Sequence, residues 1–509
     1  MRRDARAATA LAAAAALTLA ACHGGTLDLK AADQASFYDV ERKPAPDVRV
    51  PEGYRAVVIA EGFNFPSSMA WDDKGRLYVL ESHTVAVPTL APKLLRVERD
   101  RLREIPFTGP SKPTGAQAVG LAHHGGWLFV SHEEKDGTWG ISRLKPDGGD
   151  VEAVLRGIPA RGDHWVNYLL FDAKGNLYFG VGSATNSGVV SSKDPVNQKW
   201  LEKRPDARDI PCKRIVLTEQ RFADDDALTP EKGDRALTGA YQAYRRAEAH
   251  ALPGEELCTG ALYVLPAGER RPRLVAWGFR NPVALALDPR DGKVLIGMHG
   301  ADVRGTRPVR NDPDAIYRLR EGAWYGWPDY SADLRPVTDP HFRAPESFFP
   351  EGVSSLSFVI DHAASGLAAP DRSLLVTATE PHAALGGMAA VPRGTSAFRS
   401  LEGRLLISEM GDFKPTTDAT SAGVRTGFQV EAVDLASGKR TVFARNRGEG
   451  PAQPASRLDL KDALERPVDV KVGPDGLVYI LDFGVFNPAD KGAKVFPKTG
   501  RVFRVEPAR

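Results

Sequence analysis

The sequence predicts an all-β chain folded as a six-bladed β-propeller, with long loop insertions on one face, and two recurring phrases carry that prediction. The first is a small or apolar run, an Asp or Gly turn, and an aromatic or aliphatic run. It reads Pro66-Ser-Ser-Met-Ala-Trp-Asp72 leading into Gly75-Arg-Leu-Tyr-Val79, and returns at 118–130, 166–179, 282–296 and 467–480. Each copy has the pattern of a short β-hairpin. The second phrase reads as the outer pair of strands: Lys93-Leu-Leu-Arg-Val97, Gly140-Ile-Ser-Arg-Leu144, Gly260-Ala-Leu-Tyr-Val264, Asp314-Ala-Ile-Tyr-Arg-Leu319, Phe428-Gln-Val-Glu-Ala-Val433 and Gly500-Arg-Val-Phe-Arg-Val505. Six copies imply six blades, because radial repetition hides sheet edges around a central channel.

The missing sixth hairpin falls between 354 and 410. Ser355-Leu-Ser-Phe-Val-Ile-Asp361 with Gly403-Arg-Leu-Leu-Ile-Ser408 competes there with Ser365-Gly-Leu-Ala368 and Leu374-Leu-Val376. The C-terminal strand at 500–506 is expected to close the ring against the N-terminal side. Stretches 183–259 and 298–353 break the repeat and read as blade-loop insertions, the usual place for sites on a rigid scaffold.

Residues 1–21 read as an address. A basic start at Arg2, Arg3 and Arg6 precedes an apolar core from Ala7 to Leu17, and Leu19-Ala20-Ala21-Cys22 matches a bacterial lipobox. The expectation is export, cleavage before Cys22 and lipidation of Cys22. The chain would then be held at the periplasm or cell surface through the lipid anchor alone. His23, in place of an aspartate, makes the outer membrane the default. Residues 22–45 read as a lipidated tether and 46–509 as the propeller. In that oxidising compartment Cys212 and Cys258 are expected to form a disulfide, the alternative being two buried free thiols. With 67 Lys plus Arg against 65 Asp plus Glu, no field gathers nucleic acid.

The repeat also works as a ruler. Eight residues before each hairpin turn stand Asn64, Ala116, His164, Arg280 and Glu465, and seven before stand Phe65, Gln117, Trp165, Asn281 and Arg466. One channel mouth should therefore collect a base candidate, cations and amides, a set suited to an anionic ligand undergoing proton chemistry. A lactonase-like metal hydrolase would need several carboxylates at this rim, and the ruler places only Glu465 there. His123, His124, His132 and His299 show no metal-binding spacing.

Asp163-His164, the stretch from Leu170 to Ser183, Gly278-Phe-Arg-Asn-Pro282 followed by Asp288-Pro289, and Gly322-Ala-Trp-Tyr-Gly-Trp-Pro328 resemble the signature of the glucose/sorbosone dehydrogenase family. That resemblance implies a six-bladed propeller holding pyrroloquinoline quinone and calcium over the channel, oxidising a small-molecule sugar or related alcohol or aldehyde. His164 would be the general base with Asp163 orienting it. Arg280 and Asn281 would meet the quinone, with Gln117 and Arg466 as further cofactor contacts. The metal segment departs from the family pattern, reading Met298-His-Gly-Ala301 and Asp314-Ala-Ile-Tyr317. It leaves the carbonyls of Gly300 and Ala301, with Asp302, Asp312 and Asp314, as the oxygen donors for calcium. A chain without a haem motif would pass electrons to a separate acceptor. The competing expectation is a propeller that binds a ligand, glycan or protein at the channel mouth without turnover.

Overall fold

A computed structural model describes residues 42–508 apart from 82–90, 100, 230, 232, 351, 395, 415, 419–424 and 489–493. The signal segment and Cys22 lie outside the described residues. Six antiparallel sheets of four strands or more stand around one axis; the first four run in chain order from the axis outward, and the last two take N-terminal strands at their outer edges. Their innermost strands are Pro66–Trp71, Ala118–His124, Val166–Phe171, Asn281–Leu287, Leu385–Ala390 and Pro467–Val472. The five hairpins fall where the sequence puts them, and each of the six second phrases supplies the third strand of a blade rather than its outer pair.

The sixth blade closes the ring. Its fourth strand from the axis is the N-terminal Tyr54–Phe63, paired with the C-terminal Gly500–Pro507 in a register that joins Val57 to Arg504 and Val58 to Phe503. Joining the two chain ends in one sheet ties blade opening to loss of the whole ladder. Lys43 and Pro44, expected in the tether, instead pair with Val58 and Val57 as a further edge strand, and Ala45 is buried behind them.

The fifth blade corrects the sequence reading. Its innermost strand is Leu385–Ala390, whose Leu385-Gly-Gly-Met-Ala-Ala390 lacks the bulky alternation of the other copies. Glycine is required there, because a Cβ on Gly386 would come within 2.2 Å of the Val468 carbonyl oxygen of the next blade. Ser355-Leu-Ser-Phe-Val-Ile-Asp361 is loop, and Leu375–Pro381 is the outermost strand of the fourth blade.

The insertions meet above one end of the ring. The first, between the second and third strands of the third blade, carries the hairpin of Arg221–Asp225 and Arg235–Gly239. The second is split. Residues 300–312 cap the fourth blade, while 319–374 climbs beside the third blade's edge, where the Tyr325 amide donates to the Trp277 carbonyl and the Trp327 amide to that of Gly278. Buried Arg307 joins the two, donating to the carbonyls of Ser187, Pro328 and Ser357 and pairing with Asp329 at 3.0 Å. Lower down, the Tyr168 hydroxyl shares its one proton between the carbonyls of Ser67 at 2.7 Å and Val468 at 2.9 Å. This links three blades and crosses the axis beneath the mouth.

Candidate functional site

The insertions cover the channel end where the innermost strands begin, and of the rim residues found by the ruler His164, Arg280, Asn281, Gln117, Glu465 and Arg466 are buried there. At the opposite end, a cavity of about 390 Å³ is walled by aliphatic side chains such as Leu169, Leu287 and Met388, with Lys471 as the charged residue on its wall.

His164 is 9 % exposed. Its Nδ1 lies 2.9 Å from the Ser183 carbonyl oxygen and 3.1 Å from Ser183 Oγ. A carbonyl can only accept, so Nδ1 carries the proton and Nε2 keeps its lone pair. Burial pushes the imidazole pKa well below its usual value, and the Arg280 and Arg304 charges push the same way. The ring is thus neutral with a fixed tautomer. Gly182 permits the packing, since a Cβ there would meet His164 Cβ at 2.3 Å and Asn281 Oδ1 at 2.9 Å.

Asp163 does not orient the imidazole, contrary to the expectation from its position. Its Oδ1 accepts from Asn197 Nδ2 and Trp200 Nε1, each at 2.8 Å, and its Oδ2 from Arg304 Nη1 at 2.8 Å. The backbone turn that aims His164 at Ser183 sends the neighbouring side chain into the insertion instead.

Arg280 stands beside this histidine, its carbonyl oxygen accepting the Ser183 amide at 2.7 Å. Its guanidinium is held on one side. Nε donates to the Asn186 carbonyl oxygen at 3.1 Å, while Nη2 donates to Asn186 Oδ1 at 3.0 Å and to Asp302 Oδ2 at 2.8 Å. Nη1 is the arm outside that clamp. Asn281 is spent on structure: its Oδ1 accepts from Asn167 at 2.6 Å and its Nδ2 donates to His299 Nδ1 at 3.1 Å. His299 Nε2 in turn donates to the Leu385 carbonyl at 2.6 Å. Gln117 is buried at the mouth of the second blade and its carbonyl accepts the Glu133 amide.

Arg466 is not available to a cofactor. Its guanidinium donates to the carbonyls of Met410, Gly411, Asp412 and Phe486, and lies over the rings of Phe413 and Phe428. Burial lowers its pKa to about 10. It is an internal clip between the fifth and sixth blades.

The expected carboxylate ligands for calcium are committed as well. Asp312 accepts the amides of Ala301 and Ala332, and Asp314 those of Gly300 and Leu385, one per oxygen. Asp302 pairs with Arg280 and Arg304, and its Oδ1 lies 3.4 Å from His382 Nδ1. Burial would raise its pKa, but those charges hold it far below the usual carboxylate range. Of the predicted set, the carbonyls of Gly300 and Ala301 remain. Two neutral oxygens fall short of the roughly six to eight that calcium takes. Among the described residues no group of three or more His, Cys, Asp or Glu forms a metal cluster.

Four residues central to this mouth were not found from the sequence: Asn186, Asp194, Arg304 and His382. Asn186 was hidden in an insertion without a repeat. His382 stands just before the fifth blade's innermost strand, so a correct register there would have brought the ruler to its neighbours. The predicted Cys212–Cys258 disulfide is formed. It ties the first insertion near Asp209, which holds the Ala184 amide at 2.6 Å beside the histidine's partner.

No family model matches the sequence, and no curated protein matches it. Solved structures do match. A Trichoderma reesei structure of carbohydrate-active enzymes family AA12 superposes with a TM-score of 0.51 at 14% identity, over 92% of this chain and 99% of that one. The holo form of the pyranose dehydrogenase PQQ domain from Coprinopsis cinerea does so with a TM-score of 0.50 at 14% identity, over 91% and 98%. The likeness runs through the ring and is one of fold: the chain is a six-bladed β-propeller with the architecture of those two proteins.

Proposed function

We propose that the protein is an oxidoreductase that removes hydrogen from a sugar or related alcohol or aldehyde, using pyrroloquinoline quinone seated at the rim. The observation that carries this reading is the buried, neutral His164. Its Nδ1–H is fixed on Ser183 and its Nε2 is left as a base, with Arg280 alongside. The residues fit a planar, oxygen-rich ligand: the Nη1 arm of Arg280 and the Gln117 amide are the groups that would hold it, with the His164 imidazole beside it. When bound, the quinone supplies a two-electron acceptor.

The chain's own part is proton and charge management. His164 Nε2 takes the proton of the substrate hydroxyl as the carbon is oxidised, and burial keeps water from competing. Asn186 and Asp302 hold Arg280 in one orientation, so its charge is already in place where negative charge develops. Electrons leave to a separate acceptor, and the lipobox at Cys22 supports export and anchoring at the outer membrane.

A second reading, a propeller that binds its ligand without turnover, is favoured by Arg466, whose guanidinium is locked on carbonyls. Purified protein mixed with pyrroloquinoline quinone and tested for binding and dye reduction across a sugar panel separates the two. Turnover abolished by His164→Gln supports the enzyme. Stoichiometric binding without turnover selects the second reading, and absence of binding removes the cofactor from both.

A further inference from the structure

We propose that Arg304 is the resident cation of this mouth, filling a three-carboxylate cage and closing it to divalent metal. The cage is drawn from three separate segments. Arg304 Nη1 lies 2.8 Å from Asp163 Oδ2 and 2.6 Å from Asp194 Oδ1, while Nε lies 3.0 Å from Asp302 Oδ2. The arginine side chain is 4 % exposed and those of Asp163 and Asp194 are 1 % and 2 % exposed. The buried carboxylates of Asp163 and Asp194 meet Nη1 and the partly buried Asp302 meets Nε, so oxygens of the kind a hard cation takes are gathered around one side chain. The guanidinium makes directed hydrogen bonds to all three.

The charges around the cage close it further. Arg280 and His382 flank Asp302 from the other side. Lys199 also lies near enough that Arg304, after burial, lowers its pKa. A dication entering here would meet these positive groups while the carboxylates it needs are already paired. An arginine cannot make room by losing its proton, and its guanidinium is hydrogen-bonded to all three carboxylates. This proposal does not depend on the quinone, because the cage belongs to the protein alone.

The test needs no cofactor. Wild-type protein and Arg304→Met are titrated with calcium by calorimetry and with terbium by luminescence, the terbium being sensitised by Trp200, whose Nε1 sits 2.8 Å from Asp163 Oδ1. Wild type should show no stoichiometric site and no calcium-dependent change in Tm. Arg304→Met should gain one calcium and a Trp200-sensitised terbium signal, with Tm rising on calcium addition and the signal lost in the double variant with Asp194→Asn. A stoichiometric calcium site in wild type, sensitised through Trp200, overturns the proposal, as does a folded Arg304→Met that gains none. If Arg304→Met does not fold without metal, refolding in calcium is the readout. Recovery with calcium but not with potassium supports the cage, and failure in both sinks it.

Discussion

His164 donates its Nδ1–H to the carbonyl oxygen of Ser183 across 2.9 Å, which leaves Nε2 unprotonated. If that nitrogen is the base, His164→Gln should lower turnover by about 10²–10⁴-fold while leaving the melting temperature nearly unchanged. The pH profile is the sharper check. Burial and two neighbouring guanidinium groups depress the imidazole pKa, so the acid limb of kcat/KM should lie well below pH 6.5. A limb at or above that value would remove His164 from the role.

Asn186 makes more of the mouth than any residue read from the sequence. Its side chain accepts from Arg280 and from the Asp302 amide, and donates to the Asp302 carbonyl at 2.8 Å. Asn186→Ala leaves buried donors and an acceptor unpaired, at about 1–3 kcal/mol. It should also free Arg280 to move. The expected result is a lowered urea midpoint together with ligand affinity weakened at least about tenfold, measured by fluorescence titration. A loss of stability with unchanged affinity would make Asn186 structural only.

Chelation tests the metal question in the loaded protein. With the carboxylates of Asp312 and Asp314 spent on backbone amides, quinone binding should be equal in EGTA and in calcium. A calcium requirement would assign the metal to the Gly300 and Ala301 carbonyls together with the ligand itself.

The ring was legible because its signal is periodic: six third strands and five hairpins repeat one pattern of residues. Where the pattern thinned, at Leu385-Gly-Gly-Met-Ala-Ala390, close contact with the next blade demands glycine over bulk and the strand was missed. The ruler likewise brought His164 and Arg280 to one mouth. It could not say where their neighbours point. Arg466 occupies a ruler slot and Asp163 stands beside one, yet the Asp163 carboxylate turns into the insertion and the Arg466 guanidinium locks onto carbonyls. Those directions are set by Arg304, Trp200 and residues 410–412, whose approach is tertiary and has no sequence period.

The disulfide closes a loop of 46 residues. Chain-entropy reasoning gives it about 4 kcal/mol, and its loss should act locally first, because Cys258 precedes Thr259, which donates to Asp209 at 3.2 Å. Cys212→Ser with Cys258→Ser should lower the denaturant midpoint. It should also raise amide exchange in 183–211 before exchange in the inner strands. Uniform exchange across the ring would show that the bridge acts on the whole fold.

Stability should fall as pH rises above neutrality, and the sign follows from which groups hold protons in the folded state. Burial raises Asp209, Asp312 and Asp482 to about 7 and Glu409 to about 8. Carboxyls with raised pKa stay protonated in the fold while the unfolded chain has released them, so stability declines up through the folded pKa and then levels. Histidines with lowered pKa, such as His132 at about 4 and His164, act oppositely, but only below their unfolded value near 6.5. His382, whose pKa the Asp302 hydrogen bond raises against burial, adds stability at low pH that is lost as pH rises through its folded value. Between pH 6.5 and 8.5 the carboxyls and His382 therefore act in one direction. A tenfold change in a proton-binding equilibrium is worth about 1.4 kcal/mol, so over this window the folding free energy should drop by about 2 kcal/mol or more, measured by urea unfolding. Glu409 faces Glu431 with Arg440 3.6 Å from its Oε1, so Glu409→Gln should flatten the part of the decline near pH 8. A wild-type curve that is level or rising over that window would show these carboxyls to be ionised in the fold.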